Sequence, residues 1–173
     1  MKVALFLANG FDLVEATIPY DVLKRGEMDV SFVSIEGTKE VVSASENTVL
    51  ADALLEEVDL KSFDLLITPG GMPGSERLRK DERVLEAIKA QLDDDKWVAS
   101  ICASPIVLDK AGVLEEKDFT CYPGFEKRIK NGNHKQDYVV QDGKLITAKG
   151  PGVAFEFAFK IVEELLGEDK MAE

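Results

Sequence analysis

Apolar and polar positions follow two alternating periods along this chain. Val3 to Ala8 is an unbroken apolar run, the pattern of a strand buried on both faces. Asn9-Gly10 breaks it. Leu13 to Arg25 then reads as a helix, with Asp12 as N-cap and Gly26 as its end. Pro19 inside that stretch predicts a kink or a restart. Asp29 to Ile35, carrying Val30, Phe32, Val33 and Ile35, predicts a second strand. Glu40 to Asp59 is irregular, with strand-like pieces at Val41-Val42 and Thr48-Val49-Leu50. Phe63 to Thr68 predicts a strand that runs into Pro69-Gly70-Gly71. Ser75 to Leu92 carries Leu78, Leu85, Ile88 and Leu92, a helical stripe. Trp97 to Ile101 predicts a short strand that meets Cys102, and a helix follows to about Lys110, stopped by Gly112. Phe119 to Tyr122 is strand-like, and Phe125 to Lys130 reads as a short basic helix. Asp137 to Ala148 predicts a hairpin about Asp142-Gly143. In the last helix, Val153 to Leu166, apolar residues are spread too widely for one narrow stripe. Such a helix is either deeply buried or shared with a partner subunit.

Alternation of this kind predicts an α/β fold, a mostly parallel sheet with helices on both faces plus an antiparallel hairpin. A length of 173 residues, with no repeat or linker, predicts one domain over 1–173.

Charge narrows the partners. Lys plus Arg is 21 against 33 Asp plus Glu, a net charge of −12, whereas nucleic acid and anionic membranes both need a basic face. The two cysteines do not form a disulfide framework, and Cys121 reads as a small buried hydrophobe. The single histidine, His134, lies in a polar segment and reads as a surface loop residue, which argues against a His/Cys zinc site. No metal and no cofactor are expected. No apolar run is long enough to span a membrane, and the first ten residues read as a strand rather than a signal peptide, so the cytosol is the expected compartment.

In an open α/β sheet, ligands bind beyond the carboxyl ends of the strands. Three segments should converge there: Asn9-Gly10 with Glu15 one helical turn on, Pro69-Gly70-Gly71, and Cys102. Cys102 sits between strand and helix in Ala99-Ser100-Ile101-Cys102-Ala103-Ser104-Pro105, with small residues two positions to either side, as a sharp turn requires. This arrangement is that of a nucleophile elbow. Its helix N-terminus predicts a lowered thiol pKa, and the Ala103 N–H becomes a candidate oxyanion donor. Gly70-Gly71 offers a second donor. Glu15, among apolar neighbours, is either a solvated helix residue or a partly buried carboxyl, raised in pKa and hydrogen-bonded to the Cys102 sulfur. The basic cluster Lys127, Arg128 and Lys130 reads as a solvated face. His134-Lys135-Gln136 lacks the His-x-Glu of a glutamine amidotransferase, and no Ser/Thr-rich phosphate loop follows the first strand as a flavodoxin needs.

Four segments in order, Glu15-Ala16-Thr17-Ile18-Pro19, Leu66-Ile67-Thr68-Pro69-Gly70-Gly71, Ile101-Cys102-Ala103-Ser104-Pro105, and Lys149-Gly150-Pro151-Gly152 with Phe155-Glu156-Phe157-Ala158, resemble the ThiJ/PfpI superfamily. Within it they resemble the branch of Parkinson disease protein seven (DJ-one) and its bacterial relatives. The resemblance covers the whole chain. It implies a flavodoxin-like sandwich, a homodimer, and Cys102 as the reactive cysteine with Glu15 bonded to it. It implies backbone N–H groups of Gly71 and Ala103 on the oxyanion, and Arg25 near the dimer interface and site. The activities it implies are glyoxalase or protein-deglycase chemistry on methylglyoxal, glyoxal and their glycated adducts, or oxidative-stress sensing through sulfinic acid at the same cysteine. Two departures matter. Tyr122 stands where the human-type branch has a histidine, and Ala103 stands where protease and chaperone branches carry one, so peptidase activity is not implied.

Overall fold

The structure, a computed structural model, describes residues 1–173. Its elements in chain order are β1 (Lys2–Leu7), α1 (Leu13–Arg25), β2 (Asp29–Ser34), β3 (Glu40–Val42), β4 (Thr48–Leu50), β5 (Ala53–Leu54), β6 (Leu65–Thr68), α2 (Gly74–Arg79), α3 (Glu82–Asp93), β7 (Trp97–Ile101), α4 (Pro105–Lys110), β8 (Asp118–Phe119), β9 (Asn133–His134), β10 (Val139–Asp142), β11 (Leu145–Ala148), α5 (Ala154–Leu166) and α6 (Glu168–Ala172). Seven strands form one sheet in the order β10-β11-β7-β6-β1-β2-β5, parallel except for β10, which pairs antiparallel with β11 through the Asp142-Gly143 turn. Two small pairs, β3-β4 and β8-β9, lie outside it.

Because successive side chains point to opposite faces, each central strand feeds two cores. Val3, Leu5 and Leu7 of β1 join a cluster that includes Ala16 and Leu23 of α1 and Phe157 and Ile161 of α5. Ala4, Phe6 and Ala8 join the opposite cluster, with Leu78 of α2, Leu85 and Ile88 of α3 and Val107 of α4. The continuous apolar run that marked β1 is therefore buried on both sides.

Three elements differ from the sequence reading. Ser75 to Leu92 is two helices, because Asp81 takes an extended conformation and its side chain caps α3 at the Arg83 N–H. Pro19 lies within one continuous helix and is buried. Its ring removes only the bond its N–H would have made to the Glu15 carbonyl. Phe125 to Lys130 is no α-helix but a 3-10 turn over Phe125–Arg128. His134 also differs. It lies in β9, paired in parallel with β8, half-buried against the Phe119 ring.

The strand order β2-β1-β6-β7-β11 reverses direction of build between β1 and β6. In a doubly wound sheet that reversal opens a crevice beyond the strand ends. Below the crevice lies a buried hydroxyl cluster. Register sets Thr68 opposite Ser100. Their hydroxyls are 2.7 Å apart, and the Ser104 hydroxyl lies 2.6 Å from that of Ser100 and 2.8 Å from the Thr68 carbonyl. The Ile101 N–H donates to Ser104 Oγ at 3.0 Å. These bonds clamp the ends of β6 and β7 together. Ser104→Ala removes the buried Oγ that bonds the Thr68 and Ser100 hydroxyls and the Thr68 carbonyl, so urea unfolding should show a loss of about 1–3 kcal/mol.

Candidate active site

β7 ends at Ile101, and the chain turns through Cys102 at φ +66, a conformation that costs an ordinary residue about 1–3 kcal/mol and persists only where its surroundings enforce it. Here main-chain bonds enforce it. The Cys102 N–H donates to the Ala148 carbonyl at 2.9 Å, the Cys102 carbonyl accepts from the Tyr122 N–H at 2.8 Å, and the Ser104 N–H donates to the Ile101 carbonyl at 3.1 Å. Pro105 then opens α4. The turn leaves Cys102 9% exposed at the crevice.

The loop after β6 meets it from the other side. A methyl group on Gly70 would overlap Glu15 Oε1 and lie 2.6 Å from Cys102 Cβ, so only glycine lets the carboxyl and the cysteine stand this close. The Asp12 N–H donates to the Gly70 carbonyl at 2.9 Å, tying the loop to the start of α1. Gly71, at φ +93, packs its backbone against that of Gly10 to Asp12. The Gly71 and Ala103 N–H groups donate to no other main-chain group, and the Ala103 N–H lies at the Cys102 sulfur.

Glu15 is fully buried in the first turn of α1, where its own N–H caps onto Asp12 Oδ1 at 3.0 Å. Neither carboxyl oxygen has an aligned hydrogen-bond partner, yet the Cys102 thiol and the Gly70 N–H both lie close enough to bear on its proton. Burial pushes this carboxyl up to about 8, Asp12 pushes the same way, and the thiol and the Gly70 N–H oppose them. Of the two sequence alternatives for Glu15, the buried carboxyl is the one present.

The thiol departs from expectation. Burial, then the charge of Glu15 and its hydrogen bond, push the Cys102 thiol up, while only the Ala103 N–H favours the thiolate. A helix of one and a half turns does not offset the loss of water and a neighbouring acid. The resting thiol therefore keeps its proton, and a thiolate would form only by transfer to a base.

The structure brings together Cys102, Glu15, Gly70, Gly71 and Ala103. Tyr122 borders them: its ring is 46% exposed and faces Gly150, and its N–H holds the elbow. Arg25 does not join them within the chain. It sits about 15 Å along α1 from Glu15, at about 1.5 Å per residue, exposed and paired with Asp21 at 3.0 Å. Arg128 of the basic cluster pairs with Glu76. Sequence reasoning missed two contributors, Thr68 under the elbow and Asp12 beside the Glu15 carboxyl. Each carried a signal: a hydroxyl at a strand end beside a predicted turn, and an acid three residues before another.

Burial of Glu15 sets a pH dependence. Its native value of about 8 lies above the ordinary 4.5, so the native state holds the extra proton between these values. The stabilisation is complete below about 4.5 and is lost as pH rises toward 8, with a slope of at most about 1.4 kcal/mol per pH unit. Urea midpoints should fall across that window in the native sequence, and Glu15→Gln should lack this component.

Similarity to known proteins bears on the whole chain. The family described as DJ-1/PfpI matches residues 1–164. The chain is 37% identical over 171 residues to Protein dj-1beta of Drosophila melanogaster, covering 98% of this chain and 91% of that one. It is 37% identical over 159 residues to a Caenorhabditis elegans protein named glutathione-independent glyoxalase DJR-1.2, covering 91% of this chain and 84% of that one. Protein DJ-1 homolog B of Arabidopsis thaliana is 36% identical over 165 residues, and the match covers 95% of this chain but only 38% of that longer protein. The crystal structure of Drosophila melanogaster DJ-1beta superposes with a TM-score of 0.95 at 36% identity, covering 99% of this chain and 93% of that one. A match running from the first residue into α5, joined to a backbone that superposes from end to end, makes the assignment: the chain belongs to the DJ-1/PfpI family.

Proposed function

We propose that this protein converts small 2-oxoaldehydes such as methylglyoxal to hydroxy acids, using Cys102 and Glu15 and no cofactor. One observation carries the reading: a fully buried carboxyl, its pKa pushed up to about 8, stands beside the thiol of a cysteine held at a strained turn. Relatives named glutathione-independent glyoxalases support the same class of chemistry.

The steps balance as methylglyoxal plus water giving lactate. Ionised Glu15 takes the thiol proton, and the sulfur adds to the aldehyde carbon. The new oxyanion accepts hydrogen bonds from the Gly71 and Ala103 N–H groups and takes the thiol proton back from Glu15, which gives the hemithioacetal and restores the carboxylate. Glu15 then removes the proton on the former aldehyde carbon, giving an enediolate, and returns it to the adjacent carbon as the hydroxyl proton passes to the neighbouring oxygen, leaving a thioester with a hydroxyl beside it. Water hydrolyses the thioester and restores the thiol. No oxidant is needed, because one carbon is oxidised as its neighbour is reduced.

Burial of the sulfur favours a free aldehyde over a bulky protein adduct as substrate. It also favours a thiol deprotonated within the site over a standing thiolate that meets peroxide from solution, the sulfinic-acid reading.

A homodimer fits the surface. α5 buries Phe157, Ala158, Ile161 and Val162, but leaves Phe155 52% and Phe159 42% exposed with rings 5.9 Å apart. These two line a hollow with Arg25 and Met171, where an apolar pair beside an arginine suits a second copy.

Methylglyoxal consumption without glutathione should rise with pH toward a plateau above about 8, following Glu15. Glu15→Gln should lower kcat/KM by roughly 100-fold or more, and Cys102→Ser should abolish turnover. Turnover by Cys102→Ser equal to wild type would rule this chemistry out. In sedimentation velocity the wild type should run as a dimer and Phe159→Asp as a monomer, and a monomeric wild type would remove the homodimer.

A further inference from the structure

We infer that Cys121, Glu126 and His134 form a second site, separate from the Cys102 crevice, that binds a zinc ion. The three residues come from different pieces of chain. Cys121 follows β8, Glu126 lies in the 3-10 turn Phe125–Arg128, and His134 is in β9. The β8-β9 pairing and that turn bring one ligand atom of each within 4.8 Å of the others.

Each residue is prepared for a cation. Cys121 is fully buried and free. His134 Nε2 is buried with no hydrogen-bond partner, a costly state for a ring nitrogen unless something occupies it. Glu126 forms no salt bridge, although its oxygen Oε2 is fixed by the Gly124 N–H at 2.6 Å. That bond orients the carboxylate in the way an outer hydrogen bond orients a metal ligand.

The donor set matches zinc in kind. Thiolate, imidazole and carboxylate are its usual ligands, at about 2.0–2.3 Å, and three protein ligands leave a fourth position for water. Tetrahedral bonds of that length set ligands about 3.5 Å apart, so separations of up to 4.8 Å must close by as much as about 1.3 Å. Charge also closes. Zinc displaces the thiol proton to solvent, and one thiolate and one carboxylate then neutralise the two positive charges, so a half-buried site carries no net charge. Counting histidines hid this site, because the third ligand is a glutamate.

Cobalt(II) and zinc titrations of the metal-stripped protein test it, with Cys102→Ser as the central variant because Cys121 is then the sole thiol. Cobalt should give a thiolate-to-metal charge-transfer band in Cys102→Ser at about one ion per chain, and zinc should displace it. His134→Gln and Glu126→Gln, each shown folded by circular dichroism, should weaken zinc binding by at least about tenfold. Zinc should raise the Tm of wild type and of Cys102→Ser but not of His134→Gln. Absence of the band in Cys102→Ser overturns the site, as does unchanged zinc affinity in His134→Gln. Metal bound only when Cys102 is intact would place it in the crevice and equally overturn the proposal. None of these readouts depends on turnover, so the site stands or falls apart from the glyoxalase reading.

Discussion

A fully buried carboxyl with no cation paired to it governs this crevice. Glu15 is held fully buried beside the Gly70 backbone and the Cys102 thiol, and its proton is retained because the surroundings offer the charged form so little. Everything nearby accommodates that closeness. Gly70 yields the space, Asp12 fixes the first turn of α1 that presents the acid, and the β7 corner brings the sulfur to meet it. A methyl group at position 70 would push the Glu15 and Cys102 side chains apart.

The sheet supplies the frame for that encounter. Strands β1, β6 and β7 are adjacent and parallel, so their carboxyl ends lie at one edge although long stretches of chain separate them. The hydroxyl cluster beneath is buried polar material, and its members bond one another as well as the strand-end carbonyl and amide groups. It locks two strand termini at the level where the crevice begins.

Much of this was legible in the chain. Continuous apolar runs marked the buried strands, and small residues around Cys102 marked a tight corner, because both patterns follow directly from steric demand. Asp12 as a cap and Asp142-Gly143 as a turn were equally local. What escaped was non-local. That Ser75 to Leu92 would divide depended on Asp81 choosing to cap rather than continue, and propensity alone does not decide this. The direction of the Cys102 proton shift depended on how completely the fold excludes water, which no window of sequence reports. His134 looked like a loop residue because its neighbours are polar. Only the pairing of β9 with β8 turns its ring inward.

The elbow is fixed by two main-chain hydrogen bonds, from the Cys102 N–H to the Ala148 carbonyl and from the Tyr122 N–H to the Cys102 carbonyl. Tyr122 contributes to that corner through its backbone N–H. The exposed ring of Tyr122 is thus free to be exchanged for another shape, with the backbone bond retained and the sulfur left in place. This scaffold holds the sulfur through main-chain atoms and leaves the rim of the crevice to side chains, so the shape of the opening can drift without moving the sulfur.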